Sequence, residues 1–153
     1  MEIDSVAMIR KGVTELRGVG VDVEAVDRFI EADARLFTPV ELAYCAAQAN
    51  PAESRAGRWC AKEAVAKACS AFLQLSLREI EIVVESSGRP AAVLPARAIE
   101  IGVGVALSVA HAGGVAVSIA VASLQPVPSD HKRRDSELDA VLARSIKRLQ
   151  DRA

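Results

Sequence analysis

The sequence predicts an α+β domain in which helices pack on a small, mostly antiparallel sheet. Three observations lead to this fold class. Apolar residues recur at every second position, the period of a strand, near the start and towards the end of the chain. Two strong helix-start motifs lie between those segments. The length of 153 residues suffices for one domain with a real core and short tails.

Composition and charge exclude several classes of protein. Apolar residues make up 51% of the chain but aromatic residues only 3%, so the core must consist of Ala, Val, Ile and Leu. A net charge of -1 provides no overall basic field for binding nucleic acid. The most apolar stretch, residues 103–122, is interrupted by His111 and two glycines. We therefore expect no membrane-spanning helix, which needs about 20 apolar residues.

The cysteines and the N-terminus indicate a cytoplasmic protein. Cys45, Cys60 and Cys69 are an odd set without metal-ligand spacing, so we expect buried, reduced thiols. The N-terminus has no basic region followed by an apolar block, so no secretory signal is expected.

The first strand is predicted over residues 18–23, where valine occupies every second position. Gly18 and Gly20 do not form a dinucleotide-binding fingerprint, because the third glycine is absent and both lie within the strand. A short helix is expected over residues 26–33, directly after this strand.

Two helices follow, each with a capping signal. Thr38 is expected to cap a helix that begins at Pro39, and Glu41 completes the capping box. Asn50 and Pro51 repeat the pattern and open a long helix that continues to residue 72.

The second half of the domain is predicted to hold two hairpins. The first, within residues 79–94, turns at residues 86–90. The second, within residues 103–122, turns at residues 111–114, and a short helix over 96–101 separates the two.

The composition changes after residue 123. The predicted domain spans residues 17–124, and residues 1–16 form an N-terminal extension. Residues 125–153 are expected to form a linker and a terminal amphipathic helix, with apolar residues along one face: Leu138, Leu142, Ile146 and Leu149.

The long helix has two unlike faces between residues 58 and 72. One stripe is apolar and suits a core: Ala61, Val65, Ala68 and Phe72. The opposite stripe carries the polar groups: Trp59, Glu63, Lys67 and Ser70. Glu63 and Lys67 lie one turn apart, which suits either an ordinary surface ion pair or part of a site.

Asp22, near the end of the first strand, is a second acidic candidate. If Asp22 and Glu63 converge, they favour either a shared proton or a hard cation such as Mg²⁺, which one or two carboxylates and substrate phosphates commonly bind. Glu24 lies on the same strand face, so it is either a third metal ligand or an exposed edge carboxylate. Four cationic or titratable side chains are candidates to bind phosphate: Arg58, Lys67, Arg89 and His111.

These residues resemble the motifs of the 4'-phosphopantetheinyl transferases, in particular the small holo-[acyl-carrier-protein] synthase type. The matching segments occur in the family's order and cover about two thirds of the chain. They are Gly20-Val21-Asp22 with Arg28, Phe37 to Glu41 with Cys45, Arg58 to Ala64 with Lys67, Gly88-Arg89-Pro90, and Ser108 to His111.

The resemblance implies Mg²⁺-dependent transfer of 4'-phosphopantetheine from coenzyme A to a serine of an apo carrier protein, with release of adenosine 3',5'-bisphosphate. Asp22 and Glu63 would hold the ion, with Glu24 as a less certain ligand, and Glu63 or an activated water would accept the serine proton. Lys67 would stabilise the leaving phosphate. The nucleotide would be lined by Arg58, Lys67, Gly88, Arg89, Pro90 and His111. Arg28 would contact the acidic recognition helix of the carrier protein.

The resemblance also implies a homotrimer with sites at subunit interfaces. His111 and the 88–90 turn would come from one subunit, and Asp22 with Glu63 from its neighbour. Two departures from the family pattern are Ala112 after the histidine and the segment 69–72 in place of leucine and glycines. They leave open an alternative, a non-catalytic relative that binds carrier proteins. The motifs do not specify whether the carrier belongs to fatty acid, polyketide or peptide synthesis.

Overall fold

A computed structural model describes residues 16–124, which form two antiparallel sheets packed around one long helix. The larger sheet has the order β1-β5-β4 and consists of Leu16–Ala25 (β1), Val103–Ala112 (β4) and Val115–Leu124 (β5). The smaller sheet pairs Glu81–Val84 (β2) with Pro90–Val93 (β3). The predicted α+β class is confirmed. The predicted terminal helix and nearly all of the predicted N-terminal extension lie outside the described residues.

The helices are Pro39–Ala46 (α1), Pro51–Cys69 (α2) and Ala96–Glu100 (α3). Both predicted caps are confirmed. The Thr38 hydroxyl accepts from the Glu41 amide at 3.2 Å and the Glu41 carboxylate accepts from the Thr38 amide at 2.8 Å, while the Asn50 side chain accepts from the Glu53 amide. None of the helices in residues 16–124 has the length and apolar character needed to cross a bilayer.

The expected helix over residues 26–33 is wrong in type and extent. The chain forms two short 3₁₀ turns instead, Val26–Phe29 and Ala34–Leu36. The Asp33 side chain accepts from the Arg35 amide and so starts the second turn. A side chain that bonds to the backbone two residues further on favours a turn over continuous helix.

The core is built from small side chains, as the composition predicts. Ala61, Val65 and Ala68 on α2 are fully buried against β5, and Phe72, beyond the end of the helix, is partly buried. The helix touches the backbone of β1, since a Cβ added at Gly20 would lie 1.9 Å from the carbonyl oxygen of Ala64. Glycine at this position therefore sets the separation between β1 and α2.

The second hairpin turns later than expected. Strand β4 continues through His111, which pairs with Ala116, and the turn consists of Gly113 and Gly114 alone. Both glycines have positive φ, 58° and 76°, as a tight two-residue hairpin turn requires. His111 is therefore a strand residue with a fixed side, and its expected place in the turn is wrong.

Candidate active site

Asp22 and Lys67 form the centre of the first cluster. The Lys67 ammonium lies 2.8 Å from Asp22 Oδ1 and also donates to the Val21 carbonyl at 3.1 Å. The hydrogen bond to Asp22 raises the pKa of Lys67 above its ordinary value, although desolvation opposes the shift. Lys67 therefore remains a cation, held at the edge of the sheet where β1 meets α2.

Glu63 lies on the same side of α2 as Lys67, one turn earlier. The Cys60 thiol donates to the Asp22 carbonyl at 2.9 Å, so Asp22 lies opposite the helix stripe that runs from Cys60 through Glu63 to Lys67. The negative charge of Glu63 also contributes to the raised pKa of Lys67. The two acidic residues thus face a common region between the strand and the helix.

The unpaired carboxylate oxygen of Asp22 suits a cation. Asp22 Oδ2 is buried and has no hydrogen-bond partner in the described part of the chain. An unsatisfied buried oxygen is costly unless a ligand completes it. Within residues 17–124 no three acidic, histidine or cysteine side chains cluster as a metal site made by protein alone. Two carboxylates nevertheless fit Mg²⁺, because this ion usually takes its remaining ligands from water and substrate phosphates.

Glu24 and Arg28 are brought together by the fold. Glu24 is nearly buried on the same face of β1 as Asp22, and its carboxylate pairs with the Arg28 guanidinium at 2.5 Å. The Arg28 side chain remains 67% exposed. The predicted third metal ligand and the predicted carrier contact therefore form one ion pair beside Asp22.

Arg55 fixes the turn that carries Arg28, a role that the sequence analysis missed. From α2 its guanidinium donates to the carbonyls of Phe29 and Ile30, each at 2.8 Å. The end of the Val26–Phe29 turn is thereby attached to the helix that bears Glu63. Nothing in the sequence distinguishes Arg55 from any other arginine in a predicted helix.

The second cluster is a pocket of about 370 Å³ on the other side of α2. Four of the six predicted nucleotide-binding residues line it: Arg58, Gly88, Pro90 and His111. Arg89 lies exposed in the turn between Gly88 and Pro90, and Lys67 belongs to the first cluster. The pocket is further lined by residues from α1, from the loop that follows it and from the first half of α2: Tyr44, Gln48, Asn50, Glu53 and Gly57.

Gly57 allows the His111 ring to lie against α2. A Cβ at Gly57 would lie 2.5 Å from His111 Nε2, so any larger residue would displace the imidazole. Glycine inside a helix costs about 1 kcal/mol relative to alanine. An isolated glycine in a helical segment was the signal in the sequence that could have identified this close approach.

Two lysines, Lys62 and Lys67, lie in the family-matching segment of α2, and Lys62 is structural. Its ammonium lies 2.7 Å from Glu41, and both side chains are buried. Glu41 also accepts from the Ile82 amide, so this pair connects α2, α1 and β2. Of these two lysines, only Lys67 belongs to the first cluster, where it contacts Asp22.

The two clusters lie on opposite edges of the larger sheet. Asp22 is on β1 and His111 is on β4, with β5 between them and α2 packed across all three strands. Strands are about 4.8 Å apart, so these two edges are separated by roughly 10 Å of sheet as well as by the helix. A single chain therefore presents the clusters on two different flanks.

The face of the larger sheet that points away from α2 is apolar and exposed. Its side chains come from β1 and β5: Val19, Val21, Val23, Val115, Val117 and Ile119. Each is between 38% and 62% exposed. Contiguous apolar surface of this kind marks an interaction site on a folded domain.

Known proteins are similar to this chain in sequence and in fold. The model of the 4'-phosphopantetheinyl transferase superfamily matches residues 18–120. The holo-[acyl-carrier-protein] synthase of Moorella thermoacetica is 46% identical over 98 residues, covering 59% of this chain and 77% of that protein. Its counterpart from Clostridium acetobutylicum is 40% identical over 119 residues, covering 69% and 96%. The Chronobacterium ammoniagenes ACPS-CoA complex aligns with a TM-score of 0.60 at 27% identity, covering 72% of this chain and 99% of that one. As its ordered motifs predicted, the chain belongs to the 4'-phosphopantetheinyl transferase superfamily.

Proposed function

We propose that this protein is a holo-[acyl-carrier-protein] synthase, which transfers 4'-phosphopantetheine from coenzyme A to a serine of an apo carrier protein. The observation that carries the proposal is the contact between Asp22 and Lys67 at one edge of the sheet, with Glu63 one helical turn before Lys67 on the same side of α2. In the transfer, the serine oxygen forms a new bond to the phosphorus that bears pantetheine. The bond from that phosphorus to the bridging oxygen breaks, and adenosine 3',5'-bisphosphate leaves.

We assign the metal to Asp22 and Glu63, with Mg²⁺ as the ion. The orphaned, buried Asp22 Oδ2 supports this assignment. Bound there, the ion would neutralise charge on the pyrophosphate. Glu24 is the third predicted ligand, and it would have to share its carboxylate with Arg28.

The remaining residues of this cluster act by charge and proton transfer. Glu63, half-buried beside Lys67, is the base assigned to the serine proton. Lys67 stays protonated because of Asp22 and supplies a fixed positive charge to the leaving phosphate. Phosphoryl transfer needs little more than such positioning and electrostatic stabilisation.

We assign the nucleotide of coenzyme A to the pocket at Arg58 and His111. Arg58 is 7% exposed, its Nε is buried without a partner, and no carboxylate in residues 17–124 forms an ion pair with it. A buried cation without a partner is energetically unfavourable, and a ligand phosphate would supply the missing negative charge. Gly88 and Pro90 line the same pocket, and we assign Arg89, which is exposed in the turn between them, to the same ligand.

We further propose a homotrimer in which each active site joins two subunits. Because the carboxylates and the nucleotide pocket occupy opposite edges of the sheet, the pocket of one subunit would meet the carboxylates of the next. The exposed apolar sheet face supplies the surface for such an assembly. Three copies of 16.2 kDa give a particle of about 49 kDa.

The carrier protein is proposed to dock at Arg28. Its exposed guanidinium pairs with Glu24, which shares a strand face with Asp22, and the turn that carries it is fixed by Arg55. An acidic helix is the complementary partner for this side chain. The three buried free thiols accord with a reducing, cytoplasmic location.

One assay tests the transfer directly. The protein is incubated with coenzyme A, Mg²⁺ and an apo carrier protein, and the intact carrier is weighed by mass spectrometry. A mass gain equal to phosphopantetheine is expected, and none is expected when EDTA replaces Mg²⁺. Carrier binding without any mass gain would instead identify a non-catalytic relative.

The oligomeric state is tested with a matched pair of isoleucines. Ile119 on the apolar sheet face and Ile101 beyond α3 have nearly equal exposure, 47% and 46%. In sedimentation velocity, Ile119→Asp should release monomers, whereas Ile101→Asp should sediment like the wild type. A wild-type protein that is active as a monomer would contradict the proposed assembly.

A further inference from the structure

Tyr44 of α1 lies in the wall of the nucleotide pocket, and none of the family motifs described above includes it. The Arg58 guanidinium carbon is 3.8 Å from the centre of the Tyr44 ring. At this distance the positive, planar group stacks on the face of the ring and is attracted by it. Tyr44 is half-buried and also lines the pocket.

The stacking restricts the guanidinium to one plane. A planar guanidinium donates its hydrogen bonds within its own plane. When one face is covered by Tyr44, the edge of Arg58 remains for a ligand. The buried, unpartnered Nε shows that the protein itself does not use all of that edge.

We propose that Tyr44 is a positioning residue, which holds Arg58 so that its edge meets a phosphate of the bound nucleotide. The proposal rests on the assignment of this pocket to coenzyme A. The ring acts through Arg58, so its hydroxyl is not needed. Only ligands that carry phosphate should be sensitive to the ring.

The test measures binding to this pocket instead of turnover. Adenosine 3',5'-bisphosphate is titrated into the wild type and into Tyr44→Phe and Tyr44→Leu by calorimetry, and adenosine is measured by competition. Tyr44→Phe should bind the bisphosphate as the wild type does. Tyr44→Leu should raise its Kd about tenfold, as expected when a partly desolvated cation–π contact is lost, with no change for adenosine.

Arg58→Lys provides a second, independent variant. It keeps the positive charge but loses the planar group that stacks on Tyr44. It should therefore raise the Kd of the bisphosphate about as much as Tyr44→Leu does. Equal bisphosphate affinity in wild type, Tyr44→Leu and Arg58→Lys would overturn the proposal. So would an equal loss for adenosine and bisphosphate in Tyr44→Leu, because the ring would then contact the base directly. If the wild type does not bind the bisphosphate, the assignment of this pocket to coenzyme A is contradicted, and the Tyr44 proposal fails with it.

Discussion

Replacing Gly20 by alanine tests whether close contact between β1 and α2 assembles the site. The added Cβ would lie 1.9 Å from the Ala64 carbonyl oxygen and 2.8 Å from the Ala68 amide nitrogen. Both are backbone atoms, so no side chain can rotate away. To reach even the shortest contact that a Cβ tolerates, about 3 Å, the helix must move by at least roughly 1 Å in a close-packed core.

The expected cost follows from that displacement. Overpacking a core costs about 1–3 kcal/mol, and a backbone clash on this scale belongs at the upper end. The shift would also separate Asp22 from Lys67, which are now 2.8 Å apart. Misplacing catalytic groups by about 1 Å lowers turnover on the order of 100-fold. Urea unfolding and the carrier mass assay measure the two effects.

Gly104→Ala is the matched control for this experiment. Gly104 lies in β4 of the same sheet, and its added Cβ would meet only the Ser123 hydroxyl oxygen at 3.7 Å. This variant should stay within about 0.5 kcal/mol of the wild type and keep its activity. If Gly20→Ala were as stable and as active as Gly104→Ala, the reasoning about the close strand–helix contact would be refuted.

Three further predictions concern stability, pH and assembly. Lys62→Met leaves the buried Glu41 carboxylate without its cation and should cost about 3–5 kcal/mol in urea unfolding. Arg97→Met, which breaks the exposed pair with Glu79, should cost less than about 1 kcal/mol, and equal losses would contradict the structural role of Lys62. Burial raises the pKa of the Cys60 thiol to about 12, so the folded protein keeps a proton that the unfolded chain releases near pH 9. Stability should therefore fall from pH 9 towards pH 12, and Cys60→Ala should reduce that slope by up to about 1.4 kcal/mol per pH unit; identical slopes would disprove the shift. Asp22→Asn and His111→Ala should each be inactive, but a refolded equal mixture should regain about a quarter of wild-type activity if each site joins two subunits of a trimer. Activity that stays absent in verified mixed trimers would place both residues in one subunit's site.

Local sequence chemistry predicted the helix starts well. The caps at Thr38 and Asn50 depend on side chains within three residues, and both form as expected. The apolar stripe of α2 is likewise a local pattern, and its residues pack in the core. The ordered motifs identified the family, because they combine several such segments.

Features that depend on contacts between elements were not predicted. Arg58 and Lys62 look like solvent-exposed cations in the sequence, yet Tyr44 and Glu41 of α1 bury them. The sequence suggested a four-residue turn over residues 111–114. Gly113 and Gly114 alone reverse the chain, so His111 stays in strand β4. That Asp22 lies opposite the stripe of Glu63 and Lys67 follows from β1 packing on α2, which no spacing along the chain specifies.

The central claim is that Asp22 and Glu63 hold one divalent ion for the transfer. The most direct measurement compares wild type, Asp22→Asn and Glu63→Gln in the carrier mass assay over a Mg²⁺ titration, with thermal unfolding as the check on folding. The account predicts that both variants fold but modify no carrier at Mg²⁺ concentrations that saturate the wild type. Full modification by either folded variant, with an unchanged dependence on Mg²⁺, would contradict it.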